Sequence, residues 1–135
     1  MRKKLAVGAA AGLLAIVTPV WAHHAFSAEF DEKKPVVLKG KVTRVEWINP
    51  HAWIHMDVAG ADGKMVSWMV ETGAPNTLIR RGWTKNSIQE GLEITVEGFQ
   101  AKDGAARANG RNLTLPDGKQ LFAGSSGPGE SPGDK

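Results

Sequence analysis

The four histidines of the chain fall in two places: His23 and His24 are adjacent, and His51 and His55 lie four residues apart. Imidazole is the commonest side-chain ligand for borderline transition metals, and it binds them in its neutral form. On a strand, His51 and His55 would stand roughly 13 Å apart along the axis, too far to share one ion. We therefore expect no metal site made from that pair alone.

A histidine at a free N-terminus is a better candidate for a metal site than the pair of His51 and His55. If the mature chain begins at His23, its α-amine and imidazole Nδ1 can chelate one copper ion. His24, His51 or His55 can then supply a third nitrogen. The alternative is that His23 and His24 are solvated residues of an arm, because adjacent histidines at a terminus also bind copper or nickel adventitiously.

Residues 1–22 have the three-part layout of a secretory signal peptide. Basic residues occupy positions 2–4, an apolar stretch covers 5–20, and Val20 and Ala22 suit the −3 and −1 positions of signal peptidase. Cleavage after Ala22 makes His23 the mature N-terminus. We expect an exported protein with no integral membrane segment after cleavage.

Composition excludes several classes of function. The absence of cysteine rules out disulfides, thiolate metal sites and cysteine nucleophiles. The three basic residues of the leader account for the whole excess of 17 Lys and Arg over 14 Asp and Glu, so the mature chain is neutral. A neutral chain lacks the positive charge that nucleic-acid binding requires.

No sequence motif of catalysis is present, whether a nucleophile elbow, a phosphate loop or a metalloprotease helix. Glu46, Asp57 and Glu71 can in principle surround a histidine, but carboxylates on strands are more often solvated. We assign no catalytic residue and expect a binding protein, with a copper-dependent enzyme as the only catalytic alternative.

The segments that must position these residues follow a β pattern. After an arm at 23–34, short alternating segments separated by turn dipeptides predict strands, and a break in the alternation predicts one helix. The predicted strands cover 35–48, 51–58, 65–71, 92–100, 111–115 and 120–122, and the helix covers 75–81. Residues 125–135 are rich in Gly, Ser and Pro and predict a disordered tail.

Three strands, a short helix and then further strands form the element order of an OB-fold. We therefore predict an all-β domain over 35–124 with one short helix, built as a five-stranded OB-like Greek-key barrel; a β-sandwich is the alternative. Gly40, inside the long first strand, predicts a bulge or a bend.

The segment WINPHAW, residues 47–53, concentrates two indoles, a histidine and an Asn-Pro turn at one end of the predicted sheet. Exposed tryptophan often marks a recognition site. We predict a ligand or partner surface made by Trp47, Asn49, His51, Trp53 and His55. The alternative is that Trp47 and Trp83 cover the open ends of the barrel, with each indole N–H bonded to a backbone carbonyl.

Several motifs of the chain resemble those of a family of small secreted bacterial proteins that is known only as a domain of unknown function. They are HHxF at His23, His24 and Phe26, EFD at 29–31, NPHAW at 49–53, RRGWT at 80–84 and LTLPDGKQLF at 113–122. The resemblance covers residues 23–124. It implies the Gram-negative periplasm and an OB-like barrel, and it carries no catalytic residues.

These observations predict a monomeric periplasmic binding module. The expected ligand is a transition metal, copper first, held by His23, His24, His51 and His55. The alternative is a protein- or peptide-interaction module of the cell envelope that uses the tryptophan surface without a metal.

Overall fold

A computed structural model of the chain describes residues 26–124. The predicted signal peptide, His23, His24 and the predicted tail at 125–135 lie outside the described residues. A helical turn at 26–29 is followed by β1 (Phe30–Glu46), β2 (Trp53–Ala59), β3 (Met65–Glu71), α1 (Pro75–Arg80), β4 (Glu93–Ala101), β5 (Arg107–Thr114) and β6 (Gln120–Phe122). Over residues 26–124, no helix has both the length and the apolar character needed to cross a membrane.

Most elements lie close to their predicted positions, and the largest difference is at the start of β1. This strand begins at Phe30 rather than at Pro35, because Phe30 pairs with Ala101 of β4. Phe30 is also buried in a small apolar cluster with Phe26 and Phe99. Residues that precede the alternating segment thus join β1, because Phe30 pairs with a residue that is distant in the chain.

The structure has all six of the predicted strand segments, which is one strand more than the predicted five-stranded barrel. A tight turn follows β5, in which the Gly118 N–H donates to the Leu115 carbonyl and the Leu115 N–H donates to the Lys119 carbonyl, both at 2.9 Å. The chain therefore reverses, and β6 returns antiparallel along β5 as a strand of its own.

The strands are hydrogen-bonded in a ring. The sheet order is β3-β2-β1-β4-β5-β6 with antiparallel neighbours, and β3 also pairs in parallel with β5. The long β1 makes this closure possible, because its first part pairs with β4 and its last part with β2, with Gly40 and Lys41 shared by both. The fold is thus a mostly antiparallel β structure around one main core.

Side-chain alternation decides which residues face that core. On β2, Ile54 and Met56 are almost completely buried, whereas Trp53 and His55 are half-buried on the other face, as the alternation predicts. The core is made of Leu38, Val42, Ala52, Ile54, Met56, Val70, Leu78, Trp83, Ile88, Ile94, Val96, Ala108, Leu113, Leu121 and Ala123.

Gly40 of β1 packs directly against the backbone of β2. A Cβ atom at this position would stand 2.0 Å from the backbone oxygen of Asp57. The irregularity in the β1–β2 register lies two residues later, between Val42 and Arg44. Glycine is therefore required at position 40 because there is no space for a side chain.

Replacing Gly40 by alanine should destabilise the protein by about 3 kcal/mol, because the added Cβ meets a backbone atom that cannot move without breaking the sheet. The matched control is Gly104→Ala, where a Cβ meets no atom within 4 Å and only the positive φ of 78° is unfavourable. Urea unfolding of both variants checks the prediction, and equal losses of stability would contradict it.

Candidate functional site

The loop between β1 and β2 is held by the far end of β3. The Ala52 N–H donates to the Gly73 carbonyl at 3.1 Å, and both the N–H and the Oγ1 of Thr72 donate to the Ala52 carbonyl at 2.9 and 3.0 Å. The Asn49–Pro50 peptide bond is cis. The hydrogen bonds of Ala52 hold His51 just before β2, which starts at Trp53 rather than at His51 as predicted.

This loop forms one wall of a cleft of about 400 Å³. The other walls come from the helical turn at 26–29, from β3 and from the start of β5. The lining residues are Glu29, Ile48, Asn49, Pro50, His51, Trp53, Met69, Glu71 and Arg107. The cleft thus brings together three members of the predicted surface: Asn49, His51 and Trp53.

His51 has one ring nitrogen engaged and the other available. Its Nδ1 lies 3.0 Å from the carbonyl oxygen of Thr72. Because a carbonyl only accepts hydrogen bonds, this contact assigns the proton to Nδ1 and leaves the lone pair on Nε2. Within residues 26–124, Nε2 makes no hydrogen bond, so it is free to bind a ligand in the cleft.

Glu71 is the buried carboxyl group of the cleft, with a side chain 13% exposed. Burial raises the pKa of Glu71, and the negative charge of Glu29 raises it further. His51, a hydrogen bond from Asn109 and the positive charge of Arg107 act in the opposite direction without cancelling the effect of burial. Glu71 Oε1 lies 3.8 Å from His51 Nδ1, so a carboxyl group with a raised pKa lies beside the histidine.

Two residues of β5 beside the cleft carry buried polar atoms that lack hydrogen-bond partners within the described chain. Asn109 is 2% exposed and donates from Nδ2 to Glu71 Oε1 at 3.4 Å. Among the described residues, the Asn109 Oδ1 and the Arg107 Nε have no hydrogen-bond partner. Sequence reasoning did not select Asn109 or Arg107, because only the pairing of β5 with β3 places them beside Glu71.

His55 has different partners from His51. Its Nε2 donates to Glu46 Oε2 at 2.8 Å, and the hydrogen bond lowers the pKa of Glu46. Arg44 Nη2 lies 3.1 Å from the same Nε2 and 3.4 Å from Glu46 Oε1. Of the three carboxylates considered from the sequence, Glu46 and Glu71 each accompany a histidine, whereas Asp57 accepts a hydrogen bond from Ser67.

The tryptophans of the described chain divide between the cleft and the core. Trp53 lines the cleft, whereas Trp47 and Trp68 pack against the main core from its edge. Trp83 is 3% exposed, and its indole N–H donates to the Phe122 carbonyl at 3.0 Å. Trp83 is therefore a buried structural residue whose indole N–H bonds to a backbone carbonyl, which was the alternative to a place in a recognition surface.

Within residues 26–124, no group of three or more His, Asp or Glu side chains is placed to hold a metal ion. The cleft offers His51 with Glu71 beside it, which is fewer protein ligands than most metal sites use. A metal site here therefore needs ligands from elsewhere. The predicted ligands His23 and His24 lie outside the described residues.

Replacing Glu71 by glutamine should stabilise the metal-free protein at neutral pH and have less effect below pH 4.5, the usual value for this group. Because the folded-state pKa is raised, the stability linked to this carboxyl group is complete below the unfolded-state pKa and is lost as the pH rises through the folded-state pKa. Thermal unfolding across this pH range measures the effect.

The matched control is Glu46→Gln, for which the expected change of stability with pH has the opposite sign. The lowered pKa of Glu46 means that its contribution is present above the usual pKa and is lost as the pH falls through the folded-state value. A Glu71→Gln variant less stable than the wild type at neutral pH would contradict the assignment of Glu71.

The site was compared with known proteins through the sequence and the fold. No curated protein matches the chain, and no solved structure matches it. A family profile, described as "Family of unknown function (DUF6152)", matches residues 10–111, which include the NPHAW loop, His51 and most of the cleft. The chain therefore belongs to the DUF6152 family, whose function is unknown.

Proposed function

We propose that the protein is an exported, periplasmic binding module that holds a copper ion at the cleft of His51. The observation that carries the proposal is the hydrogen bond from His51 Nδ1 to the Thr72 carbonyl, which leaves Nε2 as a free nitrogen in the cleft. Histidines that bind metals almost always donate their other ring N–H to a carbonyl or a carboxylate. His51 is held in this way.

We propose that the terminal residue His23 supplies the remaining ligands of the ion. Phe26 is buried against Phe30 and Phe99, with ring centroids 5.9 and 5.8 Å away, and Glu29 lines the cleft. His23 precedes Phe26 by three residues, a span of at most about 11 Å. A copper site of this kind therefore requires the terminal residues to turn from Phe26 towards His51 within that span.

The donor set proposed for the ion favours copper. An amine and two imidazoles are nitrogen ligands of borderline softness, and Cu²⁺ binds such sites more tightly than the other divalent first-row metals. Glu71 can offset part of the positive charge of the ion, because its carboxyl group lies 3.8 Å from the ring of His51.

We further propose that the fold is an OB-like barrel with one additional strand. Support comes from the ring order β1-β2-β3-β5-β4 and from the position of α1 between β3 and β4. OB-folds bind ligands on the face of their second and third strands and at the loop between the first and second. The cleft uses the same elements.

His51→Ala should weaken binding of Cu²⁺ to the untagged chain that begins at His23. A lost ligand should cost more than the roughly tenfold that loss of an outer partner costs. Calorimetric titration measures the affinity, and electron paramagnetic resonance counts the nitrogen ligands. His55→Ala is the matched control, because His55 does not line the cleft. Equal copper affinity of the His51 variant and the wild type would contradict the proposal.

Adding one methionine before His23 should also weaken Cu²⁺ binding, because the amine would no longer belong to the residue that carries the imidazole. The loss should be clearest when free copper is buffered by a competing chelator. If the extended chain binds copper as tightly as the chain that begins at His23, the terminal chelate is wrong.

A second function is favoured by the apolar rim of the cleft. Ile48 is 50% exposed and Met69 is 38% exposed, and both line the cleft with Trp53. This arrangement is suited to an apolar side chain of a protein or peptide of the cell envelope. In that case Trp53→Ala would abolish capture of the partner, and metal chelators would leave the capture unchanged.

A further inference from the structure

We infer that the edge of β3 at Met65 and Ser67 binds the C-terminal segment of a partner protein as an added parallel strand, with the terminal carboxylate held by Arg107. The inference rests on the second function proposed above, the capture of a protein or peptide, and gives it a binding mode. Copper plays no part in it. The starting point is a set of backbone groups that the ring of strands leaves unpaired.

Two hydrogen bonds fix which edge each residue of β3 faces. The Lys64 carbonyl, just before the strand, accepts from the Gly60 N–H at 2.8 Å on the side of β2. The Met69 N–H donates to the Ala106 carbonyl at 3.1 Å on the opposite side, where β5 begins. Backbone groups of an antiparallel strand alternate between its two edges. Even-numbered residues of β3 therefore bond to β2, and odd-numbered residues face the other edge.

Met65 and Ser67 thus present their N–H and C=O groups at the edge away from β2. Because β5 pairs with β3 only from Met69 onwards, no strand of residues 26–124 covers these groups. The side chains at this end of the strand are apolar and accessible, with Met65 62% exposed and Val66 38% exposed. Such an edge is a template for pairing with another extended segment.

The first part of β1 shows the opposite design. β2 pairs with β1 only from Gly40 onwards, so the preceding residues of β1 also have an edge that β2 does not cover. That stretch carries Lys33, Lys34, Pro35 and Lys39. Lysine and proline on an edge discourage the addition of a strand. Residues 65–67 of β3 contain neither.

A second copy of this chain does not fit the edge of β3. A symmetric dimer would pair the two copies of the strand in antiparallel directions about a two-fold axis. If Met65 of each copy bonds to Ser67 of the other, Gly63 of the second copy comes opposite Met69. That place is taken, because the Met69 N–H already donates to Ala106. The partner is therefore a different chain.

The same obstacle favours a segment that ends beside Ser67. A strand added along Met65 and Ser67 that continued further would meet Ala106 and Arg107, where β5 starts. A segment parallel to β3, as β5 is, brings its C-terminal carboxylate to this point. An antiparallel segment would bring a positive N-terminal amine towards the guanidinium of Arg107. Charge complementarity thus selects the parallel direction and the C-terminus.

Arg107 is available to hold a carboxylate. It pairs with Met69, two residues beyond Ser67, which is roughly 7 Å along the strand and within the span of an arginine side chain. Its side chain is 34% exposed, and its Nη2 lies 3.9 Å from Asp103 Oδ2, too far for a hydrogen bond. An exposed ion pair of this kind contributes little and can yield to a bound carboxylate.

The test uses eight-residue synthetic peptides whose last four positions are randomised without proline. Each peptide is made with a free C-terminal carboxylate and as the C-terminal amide. Fluorescence anisotropy, in EDTA to remove metals, measures binding to the chain that begins at His23. We expect free-acid peptides that bind, and amidation should weaken their binding by about tenfold, since a hydrogen bond to a charged group is lost.

Two variants and a control locate the binding. Arg107→Gln should weaken the free-acid peptides about as much as amidation does and leave the amides unchanged. Arg44→Gln, at an exposed arginine of β1 beside Glu46, is the matched control and should bind like the wild type. Met65→Pro should abolish binding, because it removes an N–H from the edge at the first residue of β3, where proline is tolerated.

Hydrogen exchange reads the edge directly and does not depend on the folding of any variant. The amides of Met65 and Ser67 should exchange rapidly in the free protein and become protected when a peptide binds. If they stay unprotected in the complex, or if no peptide binds, the inference is wrong. Capture that is lost in Trp53→Ala but kept in Met65→Pro would leave the second function standing without it.

Two further outcomes would overturn parts of the assignment. If amides bind as tightly as free acids, or if Arg107→Gln has no effect on the free acids, the carboxylate is not held by Arg107. If the amides of Met65 and Ser67 become protected without peptide as the protein concentration rises, the occupant of the edge is a second copy and not a partner protein.

Discussion

The short parallel pairing of β3 with β5 is the contact on which the cleft depends. It joins Met69 to Arg107 and Glu71 to Asn109, residues that are almost forty positions apart in the chain. Without this pairing the ring of strands would be open between β3 and β5, and Glu71 would lie at a solvated edge. Closure instead removes the carboxyl group from water, which is the largest cause of its raised pKa.

The two histidines of the NPHAW region illustrate how neighbouring contacts assign different roles to one residue type. His55 lies within β2, where the adjacent β1 presents Glu46 and Arg44, and its Nε2 is occupied by them. His51 precedes the strand, and a backbone carbonyl occupies its Nδ1 instead. His51 lines the cleft with its Nδ1 bonded to a carbonyl, whereas His55 does not line the cleft.

Much of the fold was predictable because local patterns are strong in short strands. The alternation around Ile54 and Met56, the turn chemistry after β5 and the proline at the start of α1 each identify an element from a few residues. The start of β1 at Phe30 was not predictable in this way. Its pairing with Ala101 is a contact between distant residues that no local pattern reports.

The sequence by itself determined the alternation of the strands and the position of the short helix α1, since these depend on side-chain period and on turn-forming residues. Tertiary structure alone decided that His51 shares a cleft with Met69, Glu71 and Arg107. The physical reason is that hydrogen bonding between β3 and β5 sets which outward side chains become neighbours. Which side chains become neighbours therefore depends on closure of the whole ring of strands, and no single segment of the sequence determines it.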